Sequence, residues 1–394
     1  MRILFVHKSF PAQFTRLAPY LAAQPGVAVL ALGDSAFLRG REAWFQANAI
    51  DALGYRFDED DRLADFEVFE RRAQAVESAA RELRGKGLQP DLIIAHASWG
   101  EAVHLKQVFE RAKLIVYCEW FYNAPAMADD AIDLSVLHDA QTRGEHNARI
   151  IAALEAADAG WAPMEWQRAQ FPSNYQAKIS VIHDGVDTDL ITPGEPARGA
   201  PLITFATRSL EPARGFHVFM RALPEIQRRR PDAQIVIAGA DTAAYANPRA
   251  DGASYRSALL QELDGRLDSS RVTFVGMLPY AQYLELLRRS SVHIYGTFPF
   301  VLSWSFMEAL AAGCLIVGSR TPPVMEVLRD GDNGLLYQYG SPADLAARVD
   351  EALARPDADR MRTAARRTAV ERYDWRRVCL PAQLALIRRV MLQP

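Results

Sequence analysis

Cysteine, single-sign charge and long apolar runs are all scarce in this chain of 394 residues. Its three cysteines, Cys118, Cys314 and Cys379, lie far apart with no C-x-x-C pair, which argues against a disulfide framework and fits buried thiols in a reducing compartment. With 45 Lys+Arg against 48 Asp+Glu, neither a broad nucleic-acid surface nor a polybasic membrane anchor is favoured, so any cationic site must be local. No uncharged run is long enough to span a bilayer, and the opening MRILFVHKSF is a strand-length apolar run without a signal-peptide core. The expectation is a soluble cytoplasmic protein with at most peripheral membrane contact, and with a homodimer left open. Also missing is any G-x-G-x-x-G after a strand-like run, which disfavours a dinucleotide cofactor.

The length exceeds one ordinary α/β domain and suits two lobes, each able to bury its own core. Residues 2–7 form a short β-branched and aromatic run, followed by a helical pattern through Phe14, Leu17 and Leu21 and an apolar run at 27–32: a βαβ opening. The turn after the first run, His7 to Gln13, contains no glycine. Ser9 and Gln13 in it are candidates to donate hydrogen bonds to a ligand, or else they cap the following helix. Strand-like residues 91–96 end in His96 before a small-residue loop, where an open parallel sheet binds its ligands. Residues 113–117 run into Cys118-Glu119-Trp120-Phe121-Tyr122. Sugars present apolar C–H faces that pack on rings and hydroxyls that need paired acceptors, so Glu119 and Trp120 are acceptor-site candidates, with core packing as the alternative. Pro193, Gly194, Pro196, Gly199 and Pro201 mark a boundary between lobes expected at 1–192 and 202–374.

A second alternation of strand and helix patterns starts at residue 202, as expected for a parallel sheet covered on both faces. Arg208 and Arg214 bracket its first strand-to-helix turn, where planar guanidinium donors and a helix start suit phosphate oxygens. The densest constellation runs from 297 to 336 and reads TFPFVLSWSFMEALAAGCLIVGSRTPPVMEVLRDGDNGLL. Ser303, followed by Trp304 and Ser305, stands at a helix start as an N-cap type residue whose hydroxyl is expected to satisfy an orphan amide while neighbouring amides stay open to phosphate. Glu308, further along the same helix, has a carboxylate suited to ribose hydroxyls. D-x-D triplets at Asp58/Asp60, Asp187/Asp189, Asp330/Asp332 and Asp357/Asp359 are cheap in a chain with 48 acids, and two carboxylates make a poor metal cage.

E-A-L-A-A-G at 308–313 followed by an apolar strand, then P-x-V-x-E-V at 322–327 and D-G-x-N-G-L-L at 330–336, resembles the carboxyl-terminal half of a retaining glycosyltransferase of family four. The resemblance extends over nearly the whole chain. It implies a GT-B fold: two Rossmann-like, doubly wound parallel-sheet domains facing across a cleft, with residues 375–394 as a last helix crossing back onto the first lobe. It implies transfer of a sugar from a UDP- or GDP-sugar to a hydroxyl acceptor with retention, as in polysaccharide or glycoconjugate synthesis, with no cofactor and no obligatory metal. By this resemblance His96, Arg208, Arg214 and Glu308 are catalytic, and Gly276, Met277 and Leu278, with Ser303, Trp304 and Ser305, hold the donor, the base through main-chain atoms. Ser9, Gln13, Glu119 and Trp120 face the acceptor. Two departures stand out. The glycine-rich first turn is missing, and the first of the family's two glutamates, separated from Glu308 by seven residues and with Phe300 at its place, is lost. Rival expectations are a sugar-nucleotide epimerase or hydrolase on the same fold, and a catalytically silent nucleotide-sugar-binding subunit.

Overall fold

The computed structural model describes residues 1–57, 65–123, 140–246 and 249–393, so the Asp58/Asp60 pair lies outside the described residues. The chain divides into two compact units: the described residues up to Asp184 together with Cys379 onward, and Gly185–Val378. The division precedes the Pro/Gly cluster because the segment after Gly185 already pairs with the end of the second unit. Val186 N–H donates to Tyr373 O at 2.8 Å and Trp375 N–H to Val186 O at 2.9 Å. Thr188 Oγ1 also bonds the carboxylate of the buried Asp374.

The first unit holds seven strands: β1 (Arg2–Val6), β2 (Ala28–Asp34), β3 (Ile50–Tyr55), β4 (Leu92–His96), β5 (Lys113–Tyr117), β6 (Ala159–Ala162) and β7 (Ile179–Val181). They are parallel throughout, in the order β3-β2-β1-β4-β5-β6-β7. All five residues of β4 are buried, as a strand covered on both faces requires, and this is why LIIAH reads as an unbroken apolar run up to its histidine. Helices Asp65–Gly85, Ala140–Ala156 and Leu380–Met391 contribute to the cover, the last packing near β5. Gln383 of that helix donates to His183 O at 3.3 Å and Arg389 to Ser180 Oγ at 2.8 Å, so the chain's last helix belongs to the first unit.

The second unit holds β8 (Leu202–Ser209), β9 (Gln234–Ala240), β10 (Val272–Gly276), β11 (Val292–Tyr295), β12 (Ile316–Ser319) and β13 (Leu335–Tyr337). These strands are also parallel, in the order β10-β9-β8-β11-β12-β13. The amphipathic helix Phe216–Arg229 buries Phe216, Phe219, Leu223 and Ile226 at helical spacing and packs beside Pro342–Ala354. Helix Trp304–Ala311, thinned by its alanines, packs against Ala358–Tyr373.

Each sheet reverses its strand order once, between β1 and β4 in the first unit and between β8 and β11 in the second. In open parallel sheets the carboxyl ends of the strands flanking such a reversal open a crevice that binds ligands. Among the described residues no helix is long and apolar enough to cross a membrane. The three cysteines are buried and free, and burial pushes the Cys118 and Cys314 thiols up to about 12.

Candidate functional site

At the reversal point of the first unit, register alone brings two histidines together. Val6 pairs with Ala95, so His7, just past β1, and His96, the last residue of β4, emerge side by side. Their rings meet edge to face, with centroids 5.1 Å apart. The same turn follows each strand: Ser9 N–H donates to His7 Nδ1 at 3.0 Å, and Ser98 N–H to His96 Nδ1 at 3.1 Å. With Nδ1 accepting, each neutral ring carries its proton on Nε2. Burial, reinforced by His96 and then Lys8, holds His7 well below the usual imidazole range, so it is neutral at pH 7.

His96 Nε2 stands 3.3 Å from Glu119 Oε2, and Gln13 Nε2 donates to Glu119 Oε1 at 3.0 Å. Gln167 adds a hydrogen bond of 2.7 Å to the Glu119 carbonyl. One carboxylate beyond β5 is therefore oriented from the loops after β1 and β4. Glu119 is more accessible than His96, at 23% side-chain exposure against 0%. His96, expected as a catalytic residue, thus has its Nε2 directed at Glu119. Gln13 reaches Glu119, Ser9 turns its amide onto His7, and neither caps the following helices, whose N-caps are Pro11 and Arg16. Trp120 is buried, as the packing alternative requires, and offers no open ring face.

In the second unit the reversal point carries both arginines. The β8–β9 register shifts between Ala206 and Ser209, and Arg208 turns out to solvent in that irregularity. Its guanidinium lies over the Tyr245 ring, 5.1 Å from the centroid. Arg214 approaches the same ring at the same distance but is buried, donating from Nη1 to Thr297 Oγ1 at 3.1 Å and to Val301 O at 2.7 Å. It thus ties the turn after β8 to the loop after β11. Gly215 follows at φ +72°, and a Cβ there would come within 2.9 Å of Gly296 Cα, so two glycines let the two turns touch backbone to backbone. Helix Phe216–Arg229 starts from this Gly215 with no side-chain cap and no acid in its first turn, which directs the positive end of a four-turn helix at the crevice.

The second helix start differs from expectation in one detail. Ser303 is the N-cap of Trp304–Ala311, but its hydroxyl makes no capping bond. It pairs instead with Ser305 Oγ at 2.6 Å, while Ser303 N–H donates to the Tyr295 hydroxyl at 3.0 Å. No acid stands in the first turn of this helix. Trp304 and Glu308 share a face at i,i+4 spacing, and Trp304 is exposed. Glu308 Oε1 accepts from the Tyr280 hydroxyl at 2.9 Å. Tyr280 opens the helix that begins just after Gly276, Met277 and Leu278, so this bond joins the end of β10 to the Glu308 helix. Gly276 and Met277 are exposed at that strand end.

Glu211, which its sequence position suggests as a surface counterion, is buried. Its Oε2 accepts the amides of Ala244, Tyr245 and Ala246 at 2.9, 2.8 and 2.9 Å. That places Tyr245 between the arginines, with its ring 5.4 Å from Phe300 and tilted 66° to it. Tyr245, Tyr280, His7 and the inward role of Glu211 carry no motif; only the strand-end position of His7 could have drawn attention to it. The remaining D-x-D triplets meet arginines: Asp189 with Arg377, Asp330 with Arg320 and Asp357 with Arg355, at 2.8–2.9 Å.

Residues 37–191 match the profile of the glycosyl transferase family 4 group, and residues 188–368 that of glycosyl transferases group 1. Phosphatidyl-myo-inositol mannosyltransferase of Mycobacterium tuberculosis is 32% identical over 208 residues, covering 49% of this chain and 50% of that protein. Glycogen synthase of the same organism is 27% identical over 212 residues, 51% and 46% of the two chains. The chain therefore spans about half the length of the curated relatives it matches. Two solved structures share the architecture over essentially the whole chain. Anabaena HepE, solved in complex with UDP and glucose, has a TM-score of 0.72 at 18% identity, covering 98% of this chain and 100% of its own. Sucrose-phosphate synthase from Thermosynechococcus elongatus has a TM-score of 0.75 at 16% identity, covering 100% of both. With two parallel-sheet α/β units, the fold is GT-B.

Proposed function

This chain is a group 1, family 4 glycosyltransferase, and from that premise we propose that it transfers a sugar, with retention at the anomeric carbon, from a nucleoside diphosphate to a hydroxyl acceptor. The observation that carries this reading is the convergence, at the reversal point of the second sheet, of Arg208, Arg214 and two helix N-termini without side-chain caps. That is a preorganised field for a diphosphate, and it is strongest where a leaving phosphate gathers charge. Glu308, steadied by Tyr280, receives the ribose hydroxyls, and the main chain at Gly276, Met277 and Leu278 receives the base. HepE, which shares the fold, was solved with UDP and glucose, which supports UDP as the leaving group among the UDP- and GDP-sugars expected of the donor.

In the first unit Glu119 is the acceptor-facing group. Its two oxygens are aimed by Gln13 and His96, so it can accept a hydrogen bond from the attacking hydroxyl and orient it. The bond from the anomeric carbon to the leaving phosphate oxygen breaks as the bond to the acceptor oxygen forms on the same face, and the acceptor proton passes to the leaving phosphate. The arginines neutralise that phosphate, so this reading assigns no step to a metal or a cofactor. Buried free thiols support a reducing, cytoplasmic setting. We place the product in polysaccharide or glycoconjugate synthesis. The test is product analysis: nucleotide sugars incubated with a broad acceptor panel, with the anomeric configuration of the product read by NMR. Retention, abolished in Glu119→Gln while donor binding persists, supports the proposal. Donor turnover without any acceptor, or an inverted product, overturns it.

A further inference from the structure

We infer that His7 is a positioning residue for transfer: its Nε2–H holds the Gln13 carboxamide, which in turn holds Glu119. The inference rests on the acceptor role proposed above for Glu119. His7 is buried just past β1 and Glu119 stands just past β5, with β4 between them. Two strand spacings come to about 10 Å, too far for a hydrogen bond, and Gln13 spans the gap. Gln13 Nε2 donates to Glu119 Oε1 at 3.0 Å. The reverse amide orientation would set an oxygen against the carboxylate, so Oε1 is the end of Gln13 turned away from Glu119. On the other side, Ser9 N–H donates to His7 Nδ1 at 3.0 Å, which leaves the proton of the neutral ring on Nε2.

One N–H and one carbonyl oxygen are thus left over. Both His7 Nε2 and Gln13 Oε1 are shut off from solvent, and neither has an aligned partner elsewhere among the described residues. Buried groups so matched pair with each other, because leaving donor and acceptor unmade costs more than one bond contributes. Gln13 is also the side chain whose hydrogen bond works against the lowering of His7, the sign expected of an oxygen that accepts from the ring. Contacts of this kind in catalytic sites are often loose until substrate loads them. The chain then runs from His7 Nε2–H to Gln13 Oε1 and from Gln13 Nε2–H to Glu119 Oε1, with His96 Nε2 3.3 Å from Oε2. Glu119 is steadied from the loops after two strands, and His7 acts on the acceptor only through it.

Two substitutions separate this role from support of the turn. His7→Gln keeps an N–H about where Nε2 stands and drops the Ser9 contact, whereas His7→Asn keeps an acceptor for Ser9 and drops the donor to Gln13. Transfer is assayed on the full chain with UDP-glucose and GDP-mannose against the acceptor panel, and UDP and GDP binding is read by calorimetry. His7→Asn is expected to lower kcat/KM for the acceptor about tenfold to a hundredfold, as for a misplaced reacting group, with nucleoside diphosphate affinity unchanged. His7→Gln should stay close to wild type, and His7→Asn should cost nothing further in a Gln13→Leu background. If Glu119→Gln abolishes transfer while His7→Asn spares it, or if His7→Gln is impaired as much as His7→Asn or more, the inference is overturned and the acceptor role of Glu119 stands. Full transfer by Glu119→Gln, or none by the wild type, overturns both.

Discussion

Glu211 Oε2 accepts the main-chain N–H of Tyr245 at 2.8 Å, and through that bond a buried acid sets the ring that lies over both arginines of the donor lobe. Hydrogen bonds to a charged acceptor contribute more than neutral ones, and three amides share this oxygen. Glu211→Ala is expected to destabilise the protein by about 3 kcal/mol, with Glu211→Gln milder because an acceptor oxygen remains. Urea unfolding of both variants checks this. Equal midpoints for Ala and wild type would mean the amides find other partners.

Three buried histidines make stability fall in mild acid. Burial lowers His7 well below the imidazole range, His183 to about 3 and His293 to about 4. The unfolded chain takes up protons near pH 6.5 while the folded chain does not, so stability is intact above that pH. It then declines as pH falls, until the folded rings titrate. Each ring contributes a slope of up to about 1.4 kcal/mol per pH unit. Between pH 6 and pH 4.5 the urea midpoint should drop, and His293→Asn should remove about one third of the histidine part of the slope. An unchanged slope in that variant contradicts the assignment.

The contact between Gly215 and Gly296 predicts a backbone effect. Gly215→Ala adds a Cβ at φ +72° against Gly296 Cα at 2.9 Å and should cost roughly 1–3 kcal/mol, with weaker nucleotide binding because the helix start moves. Gly26→Ala has a similar φ of +74° but open space, and isolates the dihedral part. Chemical denaturation of the two variants separates strain from collision.

Tyr280→Phe deletes the hydroxyl that steadies Glu308 without opening a cavity. Loss of one such hydrogen bond, worth roughly 0.5–1.5 kcal/mol, should lower Tm slightly and, with Glu308 less well held, weaken nucleoside diphosphate binding by about threefold to tenfold. Calorimetry on the nucleotide identified as the donor base decides. Unaltered affinity would remove Tyr280 from the donor site.

Most of the architecture was legible because buried parallel strands are locally written. LIIAH and the apolar run after Gly313 declare themselves by composition, and the Phe216–Arg229 helix by its spacing. Arg208 and Arg214 could be singled out because each sits at a strand end or helix start that sequence marks, and Glu308 because it opens the E-A-L-A-A-G motif. Their partners could not. Tyr245 comes from an aperiodic polar loop, Tyr280 from another helix, and both meet their targets across 28 or more residues of chain. The Ser303 hydroxyl turned to Ser305 instead of accepting from a helix amide, a choice between two local partners that composition does not decide. Trp120 and His96 were singled out by residue type and by strand-end position. Burial is a property of the packed sheet, and neither signal discloses that both lie inside it.

The most direct measurement is the binding of nucleoside diphosphates to wild type and Arg208→Ala. Arg208 is exposed and rests on the Tyr245 ring, so its removal leaves the fold and the unliganded Tm intact. One nucleoside diphosphate should bind the wild type and lose about tenfold to a hundredfold in affinity with Arg208→Ala, as expected for a charge-assisted contact to phosphate worth roughly 1.5–3 kcal/mol. Binding that is absent from the wild type, or unchanged in the variant, would contradict a donor site at the reversal point of the second sheet.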